Sequence, residues 1–215
     1  MKIDLNCDLG ETAGNDEAIM PYITSANIAC GFHAGDASVM QATVRLAKQY
    51  GVNIGAHPSW PDLQDFGRRE MNISAEEAEA LVLYQIGALV GIAKADGVTL
   101  THVKPHGALY NQASKDRKLA DAIARAVKSF GAELILVGLA GSGLCAAGVE
   151  AGLQVAGEGF PDRAYNPDGT LMSRSKQGAL IESPEEVALN ALKLIKDGIS
   201  FGGQKVGVDT LCLHG

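Results

Sequence analysis

Residues 101–110, THVKPHGALY, begin as a β-branched, apolar strand after Gly97 and end in a turn that carries Lys104 and His106. Side chains alternate faces along a strand, so His102, Lys104 and His106 project to one side. Pro105 falls on the other side, where its missing N–H suits the last residue of a strand better than its middle. A row of imidazole, ammonium and imidazole is costly to bury unless partners satisfy it. Those partners are expected at the ends of neighbouring strands, because the grammar that introduces this segment repeats along the chain. A helix ends at a glycine suited to the left-handed position past its last turn, and a strand follows. Tyr50-Gly51 leads to VNIGAH, Asp96-Gly97 to VTLTHVKPH, Phe130-Gly131 to AELILVGL, Ala151-Gly152 to LQVAGEGF and Asp197-Gly198 to KVGVDTLCLHG.

Helical spacing of Ala, Leu, Ile and Val covers residues 36–50, 74–96, 115–130 and 184–197. Ser74-Ala75-Glu76-Glu77 is a capping box, and Ser183-Pro184-Glu185-Glu186 is a second with Pro at the first helical position. Strands are expected near 2–7, 24–30, 52–56, 99–104, 132–137, 153–156 and 206–213. Strands alternating with helices make a parallel sheet of βα units. Seven strands, with no GxGxxG after the first, fit an α/β fold closed into a seven-stranded β/α barrel rather than an open dinucleotide-binding sheet. The spacing predicts a single domain over 1–215, with the irregular stretches 57–73 and 157–182 as loops over the site. No helix follows the last strand in the sequence, so the barrel is expected to be irregular or to lack its last helix; either the sequence is truncated or a partner chain covers that wall.

A net charge of −7 with no block of like charge leaves no footprint for nucleic acid or an anionic membrane. No export signal precedes the first strand, and no apolar run is expected to span a bilayer. Cys7, Cys30, Cys145 and Cys212 are scattered without a CxxC pair and read as reduced, core-filling cysteines of a cytoplasmic protein.

In parallel β/α folds the active site lies at the carboxyl ends of the strands. The first strand carries Asn6 and Asp8 towards that end. His33 and Asp36 lie just past the second, His57 and Asp62 past the third, Lys104 and His106 at the fourth, and Glu158, Asp162 and Arg163 at the sixth. His214 follows the last strand, so all five histidines fall on or near strand tips. His102, deeper in its strand, reads as a hydrogen-bonded structural residue. Asp8 would serve equally as a helix cap. Arg68-Arg69 is either a solvated pair or a site for an anionic substrate. The turn at 138–143, GLAGSG, is either an ordinary βα turn or a phosphate-binding helix start; it is no Walker A. Three chemistries fit such a cluster: metal-assisted hydrolysis with Asp8 and two of His33, His57 and His106 as ligands, metal-free acid–base hydrolysis of a small amide, and phosphoryl transfer. With no HxxxH or HExxH pair, the spacing assigns no metal site.

The strings DLNCDLGE, NIACGFHAGD, GAHPSWPD with FGRR, VKPHGALYN and EGFPDRAYNPDG, in that order from first strand to last, resemble the LamB/YcsF family. The resemblance implies a barrel related to the glycoside hydrolase/deacetylase superfamily. It also implies ATP-dependent opening of 5-oxoproline to glutamate together with separate B and C subunits, with Mg²⁺ accompanying ATP. By matching motif it carries over Asp8, His33, Asp36, His57, Lys104 and His106 as catalytic candidates, and Asn6, Arg68, Glu158, Asp162 and Arg163 as substrate or phosphate binders. Lys104 with Arg163 or Arg68 would neutralise carboxylate and phosphate charge, with His106 or His57 as general base oriented by Asp8 or Asp36. A homo-oligomer, a metal-dependent deacetylase or amidohydrolase, and a non-catalytic module holding a small acid are further expectations to test.

Overall fold

The computed structural model describes residues 2–12, 14–201 and 203–213. Seven strands close into a parallel barrel: β1 (Asp4–Leu9), β2 (Ser25–Ala29), β3 (Asn53–His57), β4 (His102–Val103), β5 (Ile135–Leu139), β6 (Gln154–Gly159) and β9 (Thr210–Cys212). Closure runs through β9, which pairs with β1 from Asp4↔Thr210 and with β6 from Glu158↔Thr210. Two further strands, β7 (Ile199–Phe201) and β8 (Gln204–Val206), form an antiparallel hairpin outside the barrel. The expected strand at 206–213 is therefore two elements: its first residue ends the hairpin, and only 210–212 enter the barrel.

The helices are α1 (Asp16–Ile19), α2 (Ala37–Tyr50), α3 (Ala75–Ala95), α4 (Gly107–Ala113), α5 (Arg117–Lys128), α6 (Gly143–Glu150) and α7 (Pro184–Asp197). The expected capping boxes start their helices: Ser74 accepts from the Glu77 N–H and Ser183 from the Glu186 N–H. Gly51 closes α2 at φ 69°, a conformation that a β-carbon disfavours. Among the described residues no helix follows β9. α3 corrects one sequence expectation, since its 21 residues are long and apolar enough by composition to cross a membrane. Here Val82, Ile86 and Leu89 of α3 are fully buried in the barrel's main core beside Ile54, Ile123 and Leu136. That is the use a core helix makes of such a stripe.

β4 has only two residues, yet it places the site. Its His102 faces Gly55 of β3 across the ladder, where any β-carbon would overlap the imidazole ring. The backbone approach allowed by glycine is what lets a histidine enter the barrel interior. After Pro105 the chain turns directly into α4, a helix not foreseen at the Gly107-Ala-Leu-Tyr110 step.

Candidate active site

The interior of the barrel is polar from its middle to its carboxyl mouth. Asn27 of β2 donates to Asn6 Oδ1 (2.7 Å) and Asp8 Oδ1 (2.8 Å), and its own Oδ1 accepts from His102 Nε2 (2.8 Å). His102 Nδ1 lies 2.8 Å from the Thr101 hydroxyl, so both ring nitrogens are partnered. Burial pushes its pKa down to about 4, so it is a neutral, structural histidine.

Above this layer sits Lys104, 2% exposed. Its Nζ donates to Asn6 Oδ1 (3.1 Å), Asp8 Oδ1 (3.0 Å) and Cys212 Sγ (3.1 Å), and lies 2.8 Å from Glu158 Oε1. Glu158 also accepts from Asn6 (3.0 Å) and the Tyr110 hydroxyl (2.8 Å). Burial alone would lower the lysine's pKa, but the Asp8 and Glu158 carboxylates outweigh it and hold it well above the usual range. Lys104 is thus a permanently charged strut. Its ammonium is already surrounded by Asn6, Asp8, Cys212 and Glu158, partners that the expected contact with a phosphate has to displace.

On the opposite side of Asp8 lie three imidazoles and Glu11. His57 Nε2 is 3.3 Å from Asp8 Oδ2, 3.8 Å from Glu11 Oε1 and 2.9 Å from His106 Nδ1. His33 Nε2 is 3.1 Å from Glu11 Oε1, and its ring stacks on His106 at 3.9 Å between centroids. Burial, reinforced by the neighbouring His57, pushes His33 down to about 3 and His106 to about 2. For His57 burial also opposes charge, but the Asp8 carboxylate prevails and raises its pKa. Burial and the nearby Asp8 raise Glu11. The loop at 57–73 covers this group, and Gly67 (φ 66°) has no room for a β-carbon between Ser59, His106 and His33. The buried Asp62 carboxylate anchors that loop by accepting from Arg69 Nη2 at 3.0 Å.

The mouth opens into a cavity of about 860 Å³ whose cationic lining includes Arg68, Arg163, Arg174 and Lys176. Arg163 Nη2 donates to the Met172 carbonyl, while its buried Nε has no hydrogen-bond partner among the described residues. Arg68 stands over the Phe66 ring at 5.1 Å. The pair Arg68-Arg69 is therefore split: one faces the cavity and the other locks a loop.

Of the sequence candidates, Asn6, Asp8, His33, His57, Lys104, His106 and Glu158 meet in one contiguous network, and Arg68 and Arg163 line the cavity over it. Asp36 does not join them. Its side chain accepts from the Val39 N–H and caps α2, the local role that competes for any Asp before a helix. Asp162 lies in the turn after β6, half-buried beside Arg163. At 138–143 the N–H groups of Ala140, Ser142 and Gly143 already donate to the carbonyls of Glu158, Leu139 and Ser114. Those three N–H groups are thus engaged within the fold, as in an ordinary βα turn. His214 lies outside the described residues. Glu11 and Asn27 were missed. Glu11 stands three residues past Asp8 at a strand tip, the position that flagged the others, but its turn has no periodic pattern to announce it. Asn27 gave no signal inside an apolar strand.

Comparison with known proteins bears on the family and the fold. The 5-oxoprolinase A subunit of Tolumonas auensis is 54% identical over 223 residues, covering all of this chain and 89% of that protein. Its counterpart of the same name from Bacillus subtilis strain 168 is 56% identical, covering all of this chain and 87% of the other. The crystal structure of a lactam utilization protein from Thermus thermophilus superposes with a TM-score of 0.91 at 49% identity, covering all of this chain and 90% of that one. A putative cellobiose-phosphate cleavage protein from Enterococcus faecalis V583, 13% identical with a TM-score of 0.55 over 98% of this chain and 78% of that one, shares the fold alone. The LamB/YcsF family pattern matches residues 3–215, and this chain belongs to that family.

Proposed function

We propose that this chain is the lactam-opening component of an ATP-dependent 5-oxoprolinase, converting 5-oxo-L-proline to L-glutamate with B and C subunits in the cytoplasm. The observation that carries the reading is the pairing of a water-activating cluster with a cationic cavity at one mouth. A five-membered lactam keeps its amide resonance, so water attacks it slowly. Transfer of the ATP γ-phosphoryl group to the amide oxygen makes the ring carbon electrophilic. One water then adds to that carbon, the C–N bond breaks and the ring nitrogen takes a proton, leaving an acyl phosphate. A second water releases phosphate and glutamate.

Each part of the site has a task in that sequence. Arg68, Arg163, Arg174 and Lys176 would neutralise the substrate carboxylate and the transferred phosphate, with Mg²⁺ accompanying the nucleotide. Asp8 offers an acceptor for the protons of the attacking water, with His57 beside it at 3.3 Å and Glu11 next to His57. Lys104 and Glu158 fix Asp8 without meeting the substrate's charge directly. The test combines purified chain with B and C subunits, 5-oxoproline and ATP, and follows glutamate and phosphate together. One glutamate and one phosphate per turn, absent when the chain is omitted, is the expected result. Phosphate release indifferent to 5-oxoproline, or no glutamate, would overturn the reading.

A further inference from the structure

The imidazole cluster poses an electrostatic problem that its own hydrogen bonds define. His57 Nδ1 lies 2.7 Å from the Lys104 carbonyl, which can only accept, so Nδ1 carries a proton. His106 Nε2 lies 2.9 Å from the Phe66 carbonyl, so that nitrogen carries its proton too. Phe66 holds this carbonyl in place from a left-handed backbone conformation, φ 56°. The remaining nitrogens, His57 Nε2 and His106 Nδ1, face each other at 2.9 Å, a contact that needs either a proton on His57 Nε2 or a cation shared by both. Glu11 Oε1 stands 3.8 Å and 3.5 Å from them, and His33 Nε2 closes the group from the far side of Glu11. Three ring nitrogens and a carboxylate oxygen thus converge on one buried point.

We propose that Glu11, His33, His57 and His106 bind one divalent transition-metal ion of the zinc type. Their four donor atoms lie within 4.8 Å of one another. Ligands at bond lengths of about 2.0–2.1 Å in tetrahedral array stand about 3.3–3.4 Å apart, and the four separations above span that value. Three neutral nitrogens and one carboxylate select a borderline ion such as Zn²⁺ or Co²⁺ over Mg²⁺, which prefers oxygen. The carbonyls of Lys104 and Phe66 play the outer-shell part that orients metal-bound histidines. Asp8 Oδ2, 3.3 Å from His57 Nε2, stands at the rim as a hydrogen-bond acceptor for water on the ion. A proton on His57 is the competing occupant, so metal uptake at neutral pH releases protons to solvent. Such an ion generates a nucleophilic water at neutral pH. The inference deepens the lactam reading of the same mouth but is tested without it.

The experiment measures metal on the isolated chain. Protein purified without chelator is assayed for metals, stripped, and titrated with Zn²⁺ by calorimetry and with Co²⁺ by visible absorption. Expected are about one ion per chain, a four- or five-coordinate Co²⁺ spectrum without thiolate charge transfer, and affinity lowered by at least about 10–100-fold in His106→Gln and in Glu11→Gln. Circular dichroism checks folding, and Glu11→Gln, at the half-open edge of the cluster, decides the matter if the buried histidine variant misfolds. Failure of stoichiometric binding, binding as tight in Glu11→Gln as in the parent, or a cobalt–thiolate band would each overturn the site. Absence of metal binding beside intact lactam turnover would sink this inference alone, while metal binding without turnover would sink only the lactam reading.

Discussion

Asp8 has two faces, and the two halves of the mouth that meet on them are built oppositely. On one face, Lys104, Glu158, Asn6 and Tyr110 form a closed network in which the ammonium has four partners and Glu158 three donors. On the other, three imidazoles and Glu11 point donor atoms inward and leave His33 Nδ1 buried without a partner among the described residues. A buried network whose members are all satisfied is rigid and costly to break. The first half is closed on itself, and on the proposed reading the second receives the chemistry.

That contrast breaks first at the strut. Lys104→Met leaves Asp8 and Glu158 buried without their cation and should cost about 3–5 kcal/mol of stability. For a chain of this length that is a fall of about 6–20 °C in Tm. A melting curve that moves by only a degree would mean Lys104 is no strut. Glu11→Gln sharpens the opposite half. Its side chain is 14% exposed, and two of the three imidazoles it faces, His33 and His106, are held neutral by burial, so thermal stability should change by less than about 1 kcal/mol. Glutamate formation in the assembled complex should nevertheless drop by about 100–1,000-fold. Loss of stability with retained turnover would reverse the assignment.

His102, beneath both halves, gives a pH signature. Its pKa is depressed by burial to about 4, against about 6.5 when unfolded. Its contribution is complete above pH 6.5 and declines as pH falls, because the unfolded chain then binds a proton that the folded one refuses. Metal-free protein should lose about 1.4 kcal/mol per pH unit from this group between pH 6.5 and 4. Denaturant titrations of parent and His102→Gln across that window should differ in slope, whatever their difference at pH 7. The smallest effect belongs to Asp36. As a cap of α2, Asp36→Ala should cost about 1 kcal/mol and leave turnover intact. A large catalytic defect would return Asp36 to the site.

The barrel was legible because its punctuation is local. The glycines that end α2 and α3 mark where helix gives way to strand, the capping boxes at Ser74 and Ser183 mark where helices begin, and seven strands punctuated in this way imply closure. The strand tips likewise announced most of the polar mouth. What stayed hidden depended on partners distant in sequence. Glu11 sits in a turn with no period, and Asn27 in a strand whose five residues are all buried. The hairpin of β7 and β8 was not foreseen, and its final residue, Val206, was read as the start of the last strand, since a short apolar run does not reveal which neighbour will pair with it.

Residue order alone determined that the strands run parallel, that helices separate them and that acids, histidines and Lys104 gather at one end. Those outcomes follow from side-chain period and from backbone conformations open mainly to glycine, both set within a few residues. Only the folded chain decided which of those groups touch: that Asp36 turns away to its helix, that Lys104 is enclosed by carboxylates, and that His57 and His106 have their tautomers chosen by the carbonyls of Lys104 and Phe66. Distances of about 3 Å between residues about a hundred positions apart are fixed by barrel closure, and no local rule encodes them.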